Sequence, residues 1–469
     1  MRVFGISFFL PRSRFKKFWQ TKSFARRLLI NQFIGLNFLS LIIILTPHIP
    51  SLIELEDVSI DFMMELYSGI PPREEKISPF VLLDIDDETH QNWGQPLYTP
   101  RYKLKNLIDA AVQAEARLIV VDIDVSQSIG ESTPDDLKLK EYLTNHVAIC
   151  RENQLACPPI ILVRAFSEFA YDFVKPFSDL AYDSVPAKPR IGFLEDVVAQ
   201  SYPYLQWGSA QFFISNDMMR RWRLWEPTCQ NEQPGVTPSI ELLVMGMIRG
   251  CTEDIQKALR PFHPKNCETN EIVAPAFISF CGLTISTNHR SIQQRIMFRI
   301  PWLNDEIPPN NNNVPILTIL SAQPYAESPL QASLKELNGG IVVIGGSYGR
   351  RGENDVHSTP IGDMPGALVI INAIHTLLQD MTIKPVSMWI LFAIAIVFIT
   401  VTTVFSYFSF GFLWKMLGVT IVFFILVMLL YVSVVIFEEG TWLNIVIPLL
   451  IVEIYLWIFK KKWRNKLLN

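Results

Sequence analysis

Two kinds of apolar run divide this chain. Long ones lie near its ends, at residues 28–49, 388–408, 416–437 and 442–459, each close to or above the roughly 20 residues that cross a hydrocarbon core. Short ones lie between them and close in acids: "PFVLLDID" at 79–86 and "RLIVVDIDV" at 117–125. Between these two, Leu104, Leu107, Ile108, Ala111 and Val112 recur at helical spacing and predict one amphipathic helix. A helix from the Ser132–Asp135 cluster to about 145, a third strand in "PPIILVRAF" and a late strand in "GGIVVIGGS" follow. Ile370, Ala373, Ile374 and Leu377 then predict a helix that leads through Pro385 into the second long run.

Near-continuous apolar strands that alternate with helices imply an α/β domain with a mostly parallel sheet covered on both faces. Residues 195–335 are less regular, with one helix marked by Ile240, Leu243, Val244 and Met247 between loop-like stretches. This part reads as an insertion stapled by disulfides. The expected architecture is therefore a sandwiched parallel sheet at 50–387 with one membrane helix before it and three after.

Charge fixes an orientation for that arrangement. Residues 1–27 hold eight Lys and Arg and no carboxylate, and the tail at 460–469 is also basic, so both ends are expected in the cytoplasm. The first run is expected to stay as an uncleaved signal anchor, since "TPHIPSL" offers no small-residue cleavage site. The domain between holds 27 cations against 42 anions, which argues against nucleic acid as a partner, while the basic ends suit anionic lipid headgroups. All six cysteines, Cys150, Cys157, Cys229, Cys251, Cys267 and Cys281, fall in this exported segment. Six cysteines allow about 15 connectivities. Cys150 with Cys157, across a short polar loop, is the pair the sequence singles out, and buried free thiols are the alternative.

Candidate chemistry gathers at the strand ends. In open parallel sheets ligands settle beyond the carboxyl ends of the strands. The residues there are Asp84, Asp86 and Asp87 after the first strand, Asp122 and Asp124 after the second, and Ser347, Asp355, His357 and Thr359 after the late one. Such a crevice suits a hard cation, an amine or another cationic ligand, although acids at strand ends also cap turns and helices. The glycines of "IVVIGGSYGRRGENDVHSTP" miss the dinucleotide pattern G-x-G-x-x-G at Ser347, and no cofactor is expected. They are read instead as a sharp turn out of a core strand.

Asp61, "VLLDIDDETH" with "WGQPLYTPR", "AEARLIVVDIDV" with Asp135 and Asp136, "NGGIVVIGGSYG", "DVHSTPIGDMPG" and "INAIHTLLQ" occur in this order before three apolar spans. Together they resemble the type-two CHASE extracellular sensory domains of bacterial transmembrane receptors. The resemblance covers most of 50–460 and implies a sensor in the bacterial inner membrane with its large domain in the periplasm. Relatives usually continue into a catalytic output module, whereas here about ten residues follow the fourth run. The expectation is a non-enzymatic receptor subunit, capable of homo-oligomerising, that acts on a separate effector. Glu453 inside the fourth run is the candidate contact, with Asn31, Gln32, Asn37 and Asn444 next. A scaffold subunit and a metal-assisted periplasmic hydrolase are the alternatives. No H-E-x-x-H motif supports the hydrolase.

Overall fold

The computed structural model describes residues 22–45, 49–68, 79–126, 133–153, 157–167, 186–268, 274–302, 315–327, 333–349, 355–407 and 411–444. Asp61–Ile383 forms one compact unit, and the described residues before and after it form another. In chain order the principal helices are α1 (Lys22–Leu45), α2 (Pro50–Ser68), α3 (Arg101–Gln113), α4 (Pro134–Asn153), α5 (Ile240–Arg249), α6 (Gly366–Leu378), α7 (Met388–Tyr407) and α8 (Gly411–Phe437). The principal strands are β1 (Phe80–Ile85), β2 (Leu118–Val121), β3 (Ile160–Val163), β4 (Leu205–Gly208), β5 (Leu317–Ser321) and β6 (Ile341–Gly346), followed by β7 (Val356–Thr359) and β8 (Gly362–Pro365).

The first six strands form one sheet in the order β5-β1-β6-β2-β3-β4, and every adjacent pair is parallel. Its strands are apolar on both faces because both are covered. One face carries Val81, Leu83, Ile85, Ile119, Val121, Ile160, Leu162, Val342 and Ile344, which bury against Leu104, Leu107 and Ile108 of α3 and Leu139 and Leu143 of α4. Side chains alternate along a strand, so Leu82 and Val343 point to the opposite face. There α6 packs on β1 and β6, and α5 packs on β3, β4 and α6. Every residue of α6 is buried, which explains why its sequence is apolar around its whole circumference.

The insertion is smaller than the sequence suggests. Residues 195–335 contain both edge strands of the sheet, β4 and β5, so the segment adds to the main core as well as to its own hairpins. Neither edge strand reads as a strand in sequence. "LQWG" interrupts its apolar residues with Gln206 and Gly208, and β5 leaves Thr318, Ile319 and Leu320 half-buried, as an edge position permits. The three antiparallel hairpins of the insertion pair 212–215 with 218–222, 225–230 with 233–238, and 277–280 with 283–286. Disulfides Cys229–Cys267 and Cys251–Cys281 staple this part, with Cα separations of 5.5 and 5.7 Å. The third bond is Cys150–Cys157, the pair singled out from sequence. No described cysteine is free.

Buried ion pairs hold the periphery. Asp61 accepts from Arg220 Nε at 2.9 Å and also pairs with Arg295, two guanidiniums that are 3% and 0% exposed. Asp136, buried at the start of α4, accepts from the backbone and hydroxyl of Thr133 at 2.8 Å and from Arg101 at 3.2 Å, tying α4 to α3.

In the other unit α1 and α7 pack together, with Gly35 set against Ile399. Asn31 donates to Thr403 at 3.2 Å and Gln32 to Thr400 at 3.1 Å, so both find partners within the chain. Asn37 bonds the Phe33 carbonyl, and Asn444 donates to Glu56 at 3.0 Å. By length and composition one described segment, Met416–Phe437 in α8, is able to cross a membrane. The apolar parts of α1 and α7, Leu28–Asn37 and Met388–Val401, are shorter. The fourth run does not begin as a helix at 442, because Thr441 and Trp442 form a short strand with Lys384 and Pro385. Glu453 lies outside the described residues.

Asp61→Asn removes a carboxylate that two buried guanidiniums share. Breaking a buried pair in this way costs about 3–5 kcal/mol. Chemical unfolding of the full chain in detergent should show that loss, whereas a charge-neutral change on an exposed face should not.

Candidate functional site

β6, the last strand of the sheet in sequence, lies between β1 and β2. Its register sets Asp84 of β1 level with Gly345, and Val121 of β2 level with Ile344. Asp122 therefore stands beside Gly345 on the other side. Level residues of parallel strands share a face, so Asp84, Gly345 and Asp122 form one row facing α6. A Cβ placed on Gly345 would lie 3.7 Å from the Asp122 Cβ and 2.5 Å from the Ala367 Cβ. The glycine thus lets the first turn of α6 rest on the strand between the two carboxyl groups. Gly345 and Gly346 belong to β6 itself and make no sharp turn, which corrects the expectation from sequence.

The two carboxyl groups are unevenly satisfied. Asp84 is 4% exposed; its Oδ2 accepts from Ser347 Oγ at 2.6 Å, while its Oδ1 is buried without a hydrogen-bond partner. Burial pushes this carboxyl up to about 6, against the opposing effect of the Ser347 hydroxyl. Asp122 keeps a partly exposed edge, but its Oδ2 is also buried and unpartnered. Burial first, and the neighbouring Asp355 second, hold Asp122 well above the usual carboxylate range.

Asp355 stands just before β7 and lies against the first turn of α6. Its carbonyl accepts from Gly366 N–H at 2.8 Å, and its carboxylate fills the space where a Gly366 side chain would stand. His357 Nε2 sits 2.6 Å from Asp355 Oδ1. Beside this group Tyr348 stacks on His90, ring centroids 4.0 Å apart and nearly parallel. Burial and Asp355 both raise the Tyr348 hydroxyl.

The family model for the CHASE2 domain matches residues 37–435. The chain belongs to the CHASE2 family. These are extracellular sensory domains. Neither the curated proteins nor the solved structures yield a match.

Within this CHASE2 domain the fold brings together Asp84, Asp122, Ser347 and Asp355, and His357 pairs with Asp355. The remaining sequence candidates have local structural roles. Asp86 caps the short helix Asp87–Asn92 by accepting from Thr89 N–H at 2.7 Å, and Asp87 accepts from Gly349 N–H at 2.8 Å. Asp124 accepts from both the backbone and the hydroxyl of Ser126 and pairs with Arg190 at 3.3 Å. Thr359 closes the β7–β8 turn through the Gly362 carbonyl at 2.6 Å.

Among the described residues the aspartates of the crevice do not form a three-ligand cation cage; the group whose ligand atoms converge is His146, Cys150 and Cys157. His90 and Tyr348 are the site residues that sequence reasoning missed. An aromatic residue directly after a strand-end Gly-Gly-Ser was the available signal.

Two outcomes follow from this geometry. Gly345→Ala forces α6 off the sheet and should cost about 1–3 kcal/mol, as overpacking does, measured by denaturant unfolding of the full chain. The Asp84 carboxyl titrates near 6 in the folded chain and about 3.9 in an unfolded one, a difference worth roughly 3 kcal/mol. Its stabilising proton is fully bound below the lower value and lost as pH rises through the upper one. Asp84→Asn should flatten that part of the stability profile between pH 4 and 6, leaving any decline at higher pH to Asp122.

Proposed function

We propose that this CHASE2 protein is the sensory subunit of a membrane receptor, binding its signal at the carboxyl ends of β1, β6 and β2. One observation carries the reading. Two buried carboxylate oxygens without hydrogen-bond partners, Asp84 Oδ1 and Asp122 Oδ2, belong to one row of the sheet at the place where parallel sheets hold ligands. Such groups are costly to leave unsatisfied, and a ligand that donates protons or carries positive charge removes the cost. The ligand class this favours is a small amine or another donor-rich cation. His90 and Tyr348 offer it an aromatic wall, which suits a cation.

The response begins at α6. Its first turn rests on Gly345 and Asp355, so a ligand that draws Asp84, Asp122 and Asp355 together bears directly on that helix. In chain order α6 leads into α7, the route by which the signal reaches the membrane-spanning part. Output falls to a separate effector, and the protein itself performs no catalysis. The topology that goes with this reading has four spans, both ends in the cytoplasm and the sensory domain in the periplasm of a bacterial inner membrane.

Thermal-shift measurements on the full chain in detergent, with small amines and divalent cations, test the ligand class. An amine should raise the melting temperature, and Asp84→Asn or Asp122→Asn should abolish that rise. A shift unchanged in both variants would place the ligand elsewhere. Affinity purification from native membranes tests the output: recovery of a kinase or cyclase supports it, and a catalogue of envelope structural proteins alone supports the scaffold reading.

A further inference from the structure

A second chemistry lies at the amino end of β3, at the other end of the strands from the carboxylate crevice. His146 and Cys150 are four residues apart on α4 and therefore share a helix face. Cys157 stands just before β3, which α4 precedes in the chain. His146 is 5% exposed and Cys150 fully buried, while Cys157 is partly open to solvent. The His146 Nε2 is 3.4 Å from Cys150 Sγ and 3.6 Å from Cys157 Sγ. The same ring nitrogen reaches the Pro158 carbonyl at 3.1 Å, so the histidine bridges α4 and the segment that leads into β3.

Those two distances match a coordination polyhedron. With Zn–S near 2.3 Å and Zn–N near 2.0 Å, a tetrahedral ion holds sulfur and nitrogen ligands about 3.6 Å apart and two sulfurs about 3.8 Å apart. The nitrogen-to-sulfur edges are already in place. Only the two sulfurs need to move apart, each by about 1 Å once the bond between them is open.

We propose that Cys150–Cys157 is a reducible metal site, in which the opened pair and His146 bind one borderline-soft divalent cation of the Zn2+ class with a water as fourth ligand. A dithiol opens the bond by exchange, giving up two electrons and two protons and leaving as its own disulfide. The metal then displaces one proton from each thiol and forms two S–metal bonds without changing oxidation state. The imidazole binds through Nε2 with its proton at Nδ1, and the contact of Nε2 with the Pro158 carbonyl at 3.1 Å gives way to the metal. The partly exposed Cys157 admits reductant and water. The disulfide and the metal are thus alternative cross-links between α4 and the start of β3, selected by redox state and metal supply. This site is independent of the carboxylate crevice.

Cobalt tests it, as a coloured stand-in for zinc. The full chain in detergent is treated with dithiothreitol, desalted without air and titrated with Co2+; the untreated chain is titrated beside it. The reduced chain should bind one ion with intense sulfur-to-cobalt charge-transfer absorption, and the oxidised chain should show none. His146→Ala should weaken binding about tenfold or more. Cys157→Ser, nearly isosteric at a partly exposed position, should remove much of the charge-transfer intensity while gel filtration stays unchanged. No charge-transfer band on reduction, equal affinity in His146→Ala, or an undiminished band in the Cys150→Ser/Cys157→Ser double variant would each overturn the proposal. The last result would assign the metal to the other four cysteines.

Discussion

Helix α6 can lie on the sheet only because Gly345 has no side chain, since a Cβ there would be 2.5 Å from that of Ala367. That close approach shields Asp84 Oδ1 and Asp122 Oδ2 from water and leaves both carboxyl groups beside a buried helix terminus. The same contact explains why the carboxyl groups differ from ordinary surface acids. They are flanked by an apolar helix and the strands that carry them, so desolvation, more than any neighbouring charge, governs their protonation. Gly366 extends the arrangement by making room for the Asp355 carboxylate at the outer end of the same turn. Two glycines and three aspartates thus depend on a single packing distance.

The central strands and their helices were legible because burial on both sides leaves nearly unbroken apolar runs, as in β1, β2, β3 and β6. The edges were not. β4 and β5 are exposed along one side, so their composition mixes Gln206, Gly208, Thr318 and Ser321 with apolar residues and no period stands out. Their absence from the sequence reading made the insertion look larger than it is. α2 escaped notice for a related reason: "IELEDVSIDFMMEL" is neither apolar enough for a span nor part of the alternating pattern of the domain.

For the site, which strands end in acids is visible in sequence, but which acids meet depends on strand order. Placing β6 between β1 and β2 joins Asp84 to Asp122, while Asp86, Asp87 and Asp124 turn to local hydrogen bonds that no spacing distinguishes. Asp61 is a similar case, since its arginine partners lie 159 and 234 residues away in the chain. His146 carries no mark in the sequence, since only the fold brings Cys157 alongside it and Cys150.

The position of β6 has a further consequence, for the order of assembly. β1 and β2 pair with it and not with each other, so both remain without their shared neighbour until residues 341–346 have been synthesised. More than 200 residues of chain separate β2 from the strand that completes its pairing. Closing such a separation is slow, and open apolar strand edges in the meantime invite association with other chains. The insertion, whose hairpins and two disulfides are local, is able to form first and shorten the effective distance that β6 must span. In this sheet the last strand made is the one that closes the core.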